Sequence, residues 1–189
     1  YLDLLEEEEK TETAAQYLAI IKSRVKTLTQ LTEELFCYTL TASSPISAPL
    51  EDVSLNHALE ESVLAHYAVL KGCRITPEIS MPEEKIIRTL HKASLLRIFE
   101  NILSNAIKYS AGDLQITLTK QGEIVFSNHA PGLYEVDVQR LFDRLYTVET
   151  GKKSTGIGLA IAKSLTEQMH GRIAAQYADG VLSISISFP

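Results

Sequence analysis

Tryptophan is absent from this sequence, cysteine occurs only twice, and there is no long apolar run. Cys37 and Cys73 have neither the density of a disulfide framework nor the spacing of paired metal ligands, so we expect reduced thiols in a cytoplasmic setting. No stretch approaches the roughly 20 apolar residues that a membrane-spanning helix needs, and no signal peptide opens the chain. The formal net charge of −6 argues against nucleic acid as the main partner.

The sequence does contain enough apolar material for one globular core and an appendage, because 45% of its 189 residues are hydrophobic. The segment TASSPISAPL, residues 41–50, is rich in serine, proline and alanine, which is typical of a linker. It separates a helical pattern in residues 1–40 from a mixed pattern in residues 51–189. We therefore predict two domains joined by this linker.

Residues 1–40 carry apolar side chains at intervals of three and four, which predicts a long amphipathic helix. These side chains are Leu18, Ile21, Val25, Leu28, Leu31, Leu35 and Tyr38. The preceding segment, YLDLLEEEEKTET, is typical of a helix end and a turn, which would complete an antiparallel helical hairpin. Since the first arm is too short to cover the second, we expect a homodimer in which two hairpins form a four-helix bundle. The alternative is a single amphipathic helix packed on its own domain.

Residues 51–189 alternate between helical and strand patterns. Helices are predicted at 55–71, 99–110 and 158–169, and strands at 74–80, 85–89, 114–119, 123–127, 172–177 and 181–188. A loop-rich stretch runs to Thr155. Because the strands pair mainly as hairpins and the helices are segregated from them, the fold class is α+β, a two-layer α/β sandwich.

The helix FENILSNAIKYS places two asparagines inside an otherwise apolar pattern. Asn101, Asn105 and Lys108 are three or four residues apart and therefore share one face. An amide oxygen is a good ligand for Mg²⁺, and a lysine one turn away can contact the phosphates that share the ion. The alternative is that both asparagines only bond a neighbouring loop.

Two further segments fit a phosphate ligand. In STGIGLAIAK, Gly156 and Gly158 precede an apolar helix, and glycines at a helix start allow close approach of an anion. In FSNHAPGL, Asn128 lies at the end of a strand, where its oxygen could accept from an adenine amino group. Taken singly, each segment is equally compatible with an ordinary helix start or turn.

Together, and in this order along the chain, these segments resemble the ATP-binding domain of sensor histidine kinases, within the wider gyrase, heat-shock chaperone, kinase and MutL group. NILSNAIKYS resembles the asparagine box of that family, FSNHAPGL the first glycine box, LFDRLY the phenylalanine box and STGIGLAIAK the second glycine box. The resemblance implies a Bergerat-type sandwich. The helical hairpin resembles the second half of the family's dimerisation and phosphoacceptor domain.

The resemblance also implies ATP and Mg²⁺ as ligands and assigns roles by position. Asn105 would coordinate Mg²⁺, with Asn101, Lys108 and Tyr109 near the phosphates, and Asn101, Asn105 and Lys108 would be the catalytic set. Asn128 would face adenine. The resemblance implies three further groups of nucleotide-binding positions. Gly132 would admit the base, and Phe142 would anchor a lid formed by residues 133–155, with Arg144, Lys152 and Lys153 as lid cations. The positions bordering the phosphates would be Thr155, Gly156, Ile157, Gly158 and Leu159.

The sequence departs from the family pattern at several positions. The family usually has aspartate at Asn128, glycine at Ser154 and leucine at Ile157. An amide oxygen accepts without a full charge, so we expect a weaker bond to adenine.

None of the histidines in this sequence lies in the motif that surrounds the family's phosphoacceptor histidine. The five histidines, His57, His66, His91, His129 and His170, lie in other contexts. We expect the phosphoacceptor to precede Tyr1 in a longer, membrane-bound sensor, whose cytoplasmic part would relay phosphate to the receiver domain of a response regulator.

Transfer to histidine is favoured over ATP hydrolysis. The ATPase relatives place a glutamate as general base at the position of Asn101, and an amide cannot take a proton. Glu100 is adjacent but points about 100° away around the helix. A neutral imidazole is already a nucleophile, so the domain mainly positions groups and neutralises charge. The alternatives are a non-catalytic dimeric interaction module of the same fold and an anti-sigma serine kinase, which would not need the hairpin.

Overall fold

The structure is a computed structural model that describes residues 12–43, 49–133, 137–148 and 155–189. It divides into two compact units, Tyr1–Thr39 and Leu40–Pro189, each of which is described by itself. The first arm of the predicted hairpin lies outside the described residues. The hairpin, the four-helix bundle and the linker boundaries therefore stay predictions.

Most elements follow one another with short connections, and the long exception is residues 130–157, between β5 and α5. In chain order they are α1 (Glu12–Ser43), β1 (Glu51–Ser54), α2 (Leu55–Ala65), α3 (Tyr67–Gly72), β2 (Glu78–Ser80), β3 (Ile87–Leu90), α4 (Lys92–Tyr109), β4 (Gln115–Leu118), β5 (Ile124–His129), α5 (Gly158–Gln168), β6 (Arg172–Ala178) and β7 (Val181–Ser187). Two 3₁₀ helices, Pro131–Leu133 and Val138–Phe142, lie between β5 and α5.

Helix α1 leaves large apolar side chains in solvent. Tyr17, Ile20, Ile21, Val25 and Leu28 are all exposed. The helix runs to Ser43, three residues into the segment predicted as a linker. None of the described helices is long and apolar enough to cross a membrane.

The larger sheet has five strands in the order β2-β4-β5-β7-β6. β2 pairs with β4 in parallel, and the other neighbours are antiparallel. Alternate residues of β5 and β7 are buried, as a strand with one covered face requires. The face that carries Phe126 is covered by α4, since the rings of Phe99 and Phe126 lie 5.9 Å apart.

Helix α4 is the centre of the helical layer and packs against both α2 and α5. Its buried face carries Leu95, Ile98, Phe99, Ile102, Leu103 and Ala106. Each large side chain buried in this way contributes about 1.5–3 kcal/mol. The helix begins with an unusual cap, because the ring of His91 accepts from the backbone N–H of Ser94 at 3.2 Å. The mixed α/β class predicted from the sequence is confirmed.

The structure differs from the sequence-based prediction in four places. The predicted helix 55–71 is broken at His66, whose φ of −93° and ψ of 0° end α2 before α3 begins. β1 was not predicted, and it pairs with β3 in a separate two-stranded sheet. β2 and β3, predicted as consecutive strands of a mainly hairpin-paired fold, lie in different sheets. Strand β5 continues one residue past Asn128, to His129.

Candidate functional site

Helix α4 presents its polar face at the edge of the buried layer. Asn101, Asn105, Lys108 and Tyr109 are all half-buried. They lie there because the apolar positions of α4 form a single stripe, so that residues next to the stripe are partly covered. The ammonium of Lys108 lies 5.6 Å from the centre of the Tyr109 ring.

Three asparagine amides predicted to belong to the site have different surroundings. The Nδ2 of Asn101 donates to the Arg97 carbonyl at 2.8 Å, and the Nδ2 of Asn128 donates to the His129 carbonyl at 3.0 Å. The side chain of Asn105 makes no hydrogen bond to any residue that the structure describes. Half-buried amides are normally paired within the protein or with a ligand, and Asn105 is the one of the three whose whole amide is unbonded among the described residues.

The packing of α4 against α5 brings Asn101 to the second glycine segment. A Cβ added at Gly158 would lie 3.0 Å from the Oδ1 of Asn101. Gly158 is the first residue of α5, and Ile157 before it supplies no side-chain cap. The N–H groups of the first turn therefore keep the capacity to bind an anion. The two predicted phosphate-contacting segments are neighbours in space.

Gly156 has a conformation that few other residues could adopt. Its φ is +68°, and an added Cβ would lie 2.6 Å from the Tyr146 carbonyl oxygen. Its own carbonyl accepts from the backbone N–H of Leu145 at 3.0 Å. The two ends of the segment between Leu145 and Gly156 are thus joined by their backbones, and glycine is needed for this contact.

Asn128 lies on the helix-facing side of β5. The residue is 4% exposed, and it follows Phe126 along the same face. Ala130, which follows the strand, accepts from the Tyr177 hydroxyl at 3.1 Å and donates to the Gly180 carbonyl at 2.8 Å. A buried polar side chain at the end of a strand, beside a fixed backbone turn, is suited to hold a polar group of a ligand.

Asp113 and His129, which no local sequence pattern pairs, form a cluster next to Asn128 in the chain and sheet. The backbone N–H of His129 donates to both carboxylate oxygens of Asp113, at 3.1 and 2.9 Å. The His129 ring donates through Nδ1 to the same carboxylate at 2.8 Å. Partial burial by itself raises the pKa of Asp113, but the hydrogen bonds from His129, the N–H of Asp113 and the charge of His129 lower that pKa below its ordinary value.

The remaining predicted site residues lie between β5 and α5. Gly132 is exposed in the first 3₁₀ helix, and Phe142 is buried at the end of the second, where the Lys163 ammonium lies 5.9 Å from its ring centre. The other described positions are Arg144, which is exposed, Thr155, which is half-buried, and Ile157 and Leu159, which are buried. Lys152, Lys153 and Ser154 lie outside the described residues. Their roles stay predictions.

The family of the chain follows from residues 91–189, slightly more than half of its length. They match the family described as histidine kinase-, DNA gyrase B-, and HSP90-like ATPase. The chain belongs to this family. The match begins at the His91 cap of α4 and includes both glycine segments, so it covers the candidate site described above.

The sequence relatives include sensor kinases. The chain is 29% identical over 174 residues to the sensor histidine kinase YcbM of Bacillus subtilis, covering 87% of this chain and 56% of that protein. It is 28% identical over 182 residues to the signal transduction histidine-protein kinase BaeS of Escherichia coli, covering 91% and 39%. The resemblance to sensor histidine kinases is confirmed. The chain spans little more than half of YcbM and less of BaeS.

Solved structures show the same fold. The full-length ShkA structure in complex with AMPPNP gives a TM-score of 0.73 at 22% identity, covering 98% of this chain and 40% of that one. The Acinetobacter baumannii histidine kinase AdeS gives 0.70 at 20% identity, covering 95% and 85%.

Proposed function

We propose that this chain binds Mg-ATP and transfers the γ-phosphate to a histidine of a dimerisation helix, from which it passes to an aspartate of a response regulator. The family supports an ATP-binding domain of the two-component sensor type. The observation that carries the proposal is the half-buried amide of Asn105, which has no hydrogen-bond partner among the described residues. It lies one helical turn beyond Asn101, which approaches the first residue of α5.

The residues fit a magnesium–triphosphate group at what we call the phosphate end of the site. Asn105 would supply an amide oxygen to Mg²⁺, whose other ligands are phosphate oxygens and water. Lys108 and Tyr109 would contact phosphates, and the first turn of α5, with Gly156 and Gly158, would border them. The ion would supply charge neutralisation, and the chain itself would position the γ-phosphate for attack by an imidazole.

The base end of the site, as we call it, would be formed by Asn128. Its buried amide would accept from the exocyclic amino group of adenine, and Gly132 would leave room for the base. Phe142 would anchor the segment that covers the nucleotide, with Arg144 and Lys153 as cations toward the phosphates. Asn101, whose amide is bonded to its own helix, would act in transfer from its place beside Gly158.

A second function is supported by a specific residue. A non-catalytic dimeric module of the same fold would need no nucleotide. In such a module, Asn128 in place of the family's aspartate would mark the loss of nucleotide binding. We favour the kinase because the phosphate end retains the asparagine, lysine and glycines that an ATP site needs. As a kinase, the protein would act as a homodimer, in the cytoplasmic part of a membrane-bound sensor.

Calorimetry with Mg-ATP, followed by phosphotransfer, tests the proposal. The chain is titrated with Mg-ATP, then mixed with radiolabelled Mg-ATP and a dimerisation fragment that carries a complete first helix. We expect saturable binding and label that resists base and is lost in acid, as a phosphohistidine is. Absence of binding at millimolar Mg-ATP would contradict the proposal. Binding without transfer to any histidine-bearing helix would favour the interaction module.

A further inference from the structure

The orientation of the Asn128 amide is fixed by its surroundings. The group that it contacts at 3.0 Å is the backbone carbonyl of His129, which can only accept. The amide nitrogen must therefore be the atom that faces this carbonyl, and the amide oxygen faces the opposite way. Asn128 as a whole is only 4% exposed, so its amide is largely shielded from bulk water.

The carbonyl that orients the amide is itself held in place. It accepts a second hydrogen bond, from the backbone N–H of Ala111 at 3.1 Å. The N–H of the same residue, His129, is held by both carboxylate oxygens of Asp113, and the ring is held by one of them. The N–H and the carbonyl belong to successive peptide units joined at the Cα of His129, so Asp113 restrains the residue whose carbonyl orients the Asn128 amide.

We propose that Asp113 is a positioning residue that sets the base specificity of this site, by holding the Asn128 amide with its oxygen toward the ligand. The inference rests on the proposed function, in which Asn128 faces the base. An oxygen in that place accepts from the amino group at C6 of adenine. It repels the C6 oxygen of hypoxanthine or guanine.

An asparagine at position 128 needs a fixed orientation in order to present an acceptor to the base, and an aspartate does not. The two oxygens of a carboxylate both accept, so rotating it changes nothing, whereas rotating an amide by 180° exchanges an acceptor for a donor. With the amide rotated, its nitrogen would donate to a C6 oxygen and the site would lose its preference for adenine. Loosening His129 weakens the hydrogen bond that opposes this rotation.

The test compares Mg-ATP with Mg-ITP, whose base carries an oxygen in place of the amino group. Dissociation constants for both are measured by calorimetry for the unchanged chain, Asp113→Ala, Asn128→Asp and the double variant. We expect the unchanged chain to prefer ATP, and Asp113→Ala to reduce the ratio of the two constants about threefold to tenfold, the value of one hydrogen bond. In the Asn128→Asp background the same change should leave the ratio unaltered.

Three further variants separate positioning from general loosening. Asp113→Asn retains an oxygen for the His129 N–H and should keep most of the preference, and His129→Ala retains the backbone carbonyl and should do the same. Glu123→Ala removes an exposed carboxylate from the other end of β5 and should change nothing. Thermal unfolding of each variant verifies that it is folded.

The outcomes are distinguishable. Binding of ATP with a ratio that does not respond to Asp113→Ala, or that responds equally in the Asn128→Asp background, would overturn this inference and leave the proposed function standing. A preference of the unchanged chain for ITP would do the same. Failure of the unchanged chain to bind either nucleotide would overturn both.

Discussion

At the base end of the candidate site the polar side chain is buried and bonded within the chain, whereas at the phosphate end Asn105 is half-buried and unbonded among the described residues. Both amides were predicted to contact the same ligand. The difference indicates that the base end is organised before the ligand arrives, while the phosphate end is completed by the ion and its phosphates. Preorganised groups contribute to specificity, and unpaired ones contribute to affinity when they are finally bound.

Removal of the unbonded amide should have the largest effect. Asn105→Ala is expected to weaken Mg-ATP binding about 10- to 100-fold, because a contact to a charged group is lost. Thermal unfolding should change little, since the side chain holds nothing else among the described residues. The matched control is Asn101→Ala, one turn earlier, whose amide is bonded to its own helix. Equal losses of affinity in both variants would show that the two amides are not distinguished by their surroundings.

The glycine at the phosphate end should be the next most sensitive position. Gly156→Ala forces a Cβ against the Tyr146 carbonyl at a φ of +68°, which we expect to lower the unfolding free energy by about 1–3 kcal/mol in urea. Gly112→Ala is the control, because its φ of +111° is also unfavourable but nothing lies within 4 Å. If Gly112→Ala lowers the unfolding free energy as much as Gly156→Ala does, the effect comes from the backbone angle alone and not from the clash with Tyr146.

At the base end, substitution by the family's usual residue should strengthen binding. Asn128→Asp is expected to raise ATP affinity about threefold to tenfold by calorimetry, because a charge-assisted hydrogen bond to the adenine amino group is stronger. The free protein should become less stable, since the carboxylate faces the His129 carbonyl. Ser127→Asp places the same charge on the opposite face of the sheet and should leave affinity unchanged. Weaker binding in Asn128→Asp would contradict the adenine assignment.

The smallest expected effect is a pH dependence at the cluster next to the base end. The pKa of Asp113 is lowered from its ordinary value of 3.8, so the cluster contributes stability above that pH and loses it as the pH falls through the folded-state pKa. Urea midpoints between about pH 2 and 6 should fall more steeply for the unchanged chain than for Asp113→Asn. Glu123→Gln should behave like the unchanged chain. Parallel curves for the unchanged chain and Asp113→Asn would contradict the assignment.

The sequence predicted the elements with strong periodicity and missed those without it. Helix α4 and strand β7 carry long regular patterns; β7 lies where it was expected, and α4 ends where it was expected but begins seven residues earlier, at Lys92. Strand β1 has the sequence EDVS, with one apolar residue, and it is defined by its pairing with β3, which no local pattern indicates. The break at His66 depends on the backbone of one residue, which no periodicity records.

For the candidate site, spacing along a helix was sufficient and contacts across the chain were not. Asn101 and Asn105 were placed on one face because four residues make about one turn. The contact of Asn101 with Gly158, and the bonds between Asp113 and His129, join residues that are distant in sequence. Neither Asp113 nor His129 carries a local signal of this pairing, so only the assembled sheet could show it.

The outer strand of the sheet, β6, has a consequence for solubility. The side-chain amide of Gln139, in the 3₁₀ helix that ends at Phe142, donates to the Ala175 carbonyl of β6 at 2.9 Å. An uncovered last strand is a template for another copy of the chain to add its own strand, which is a common route to aggregation. The 3₁₀ helix that carries Gln139, part of the proposed nucleotide lid, therefore also covers this edge of the sheet. Any movement that withdraws Gln139 would expose the backbone of β6 to pairing with another strand.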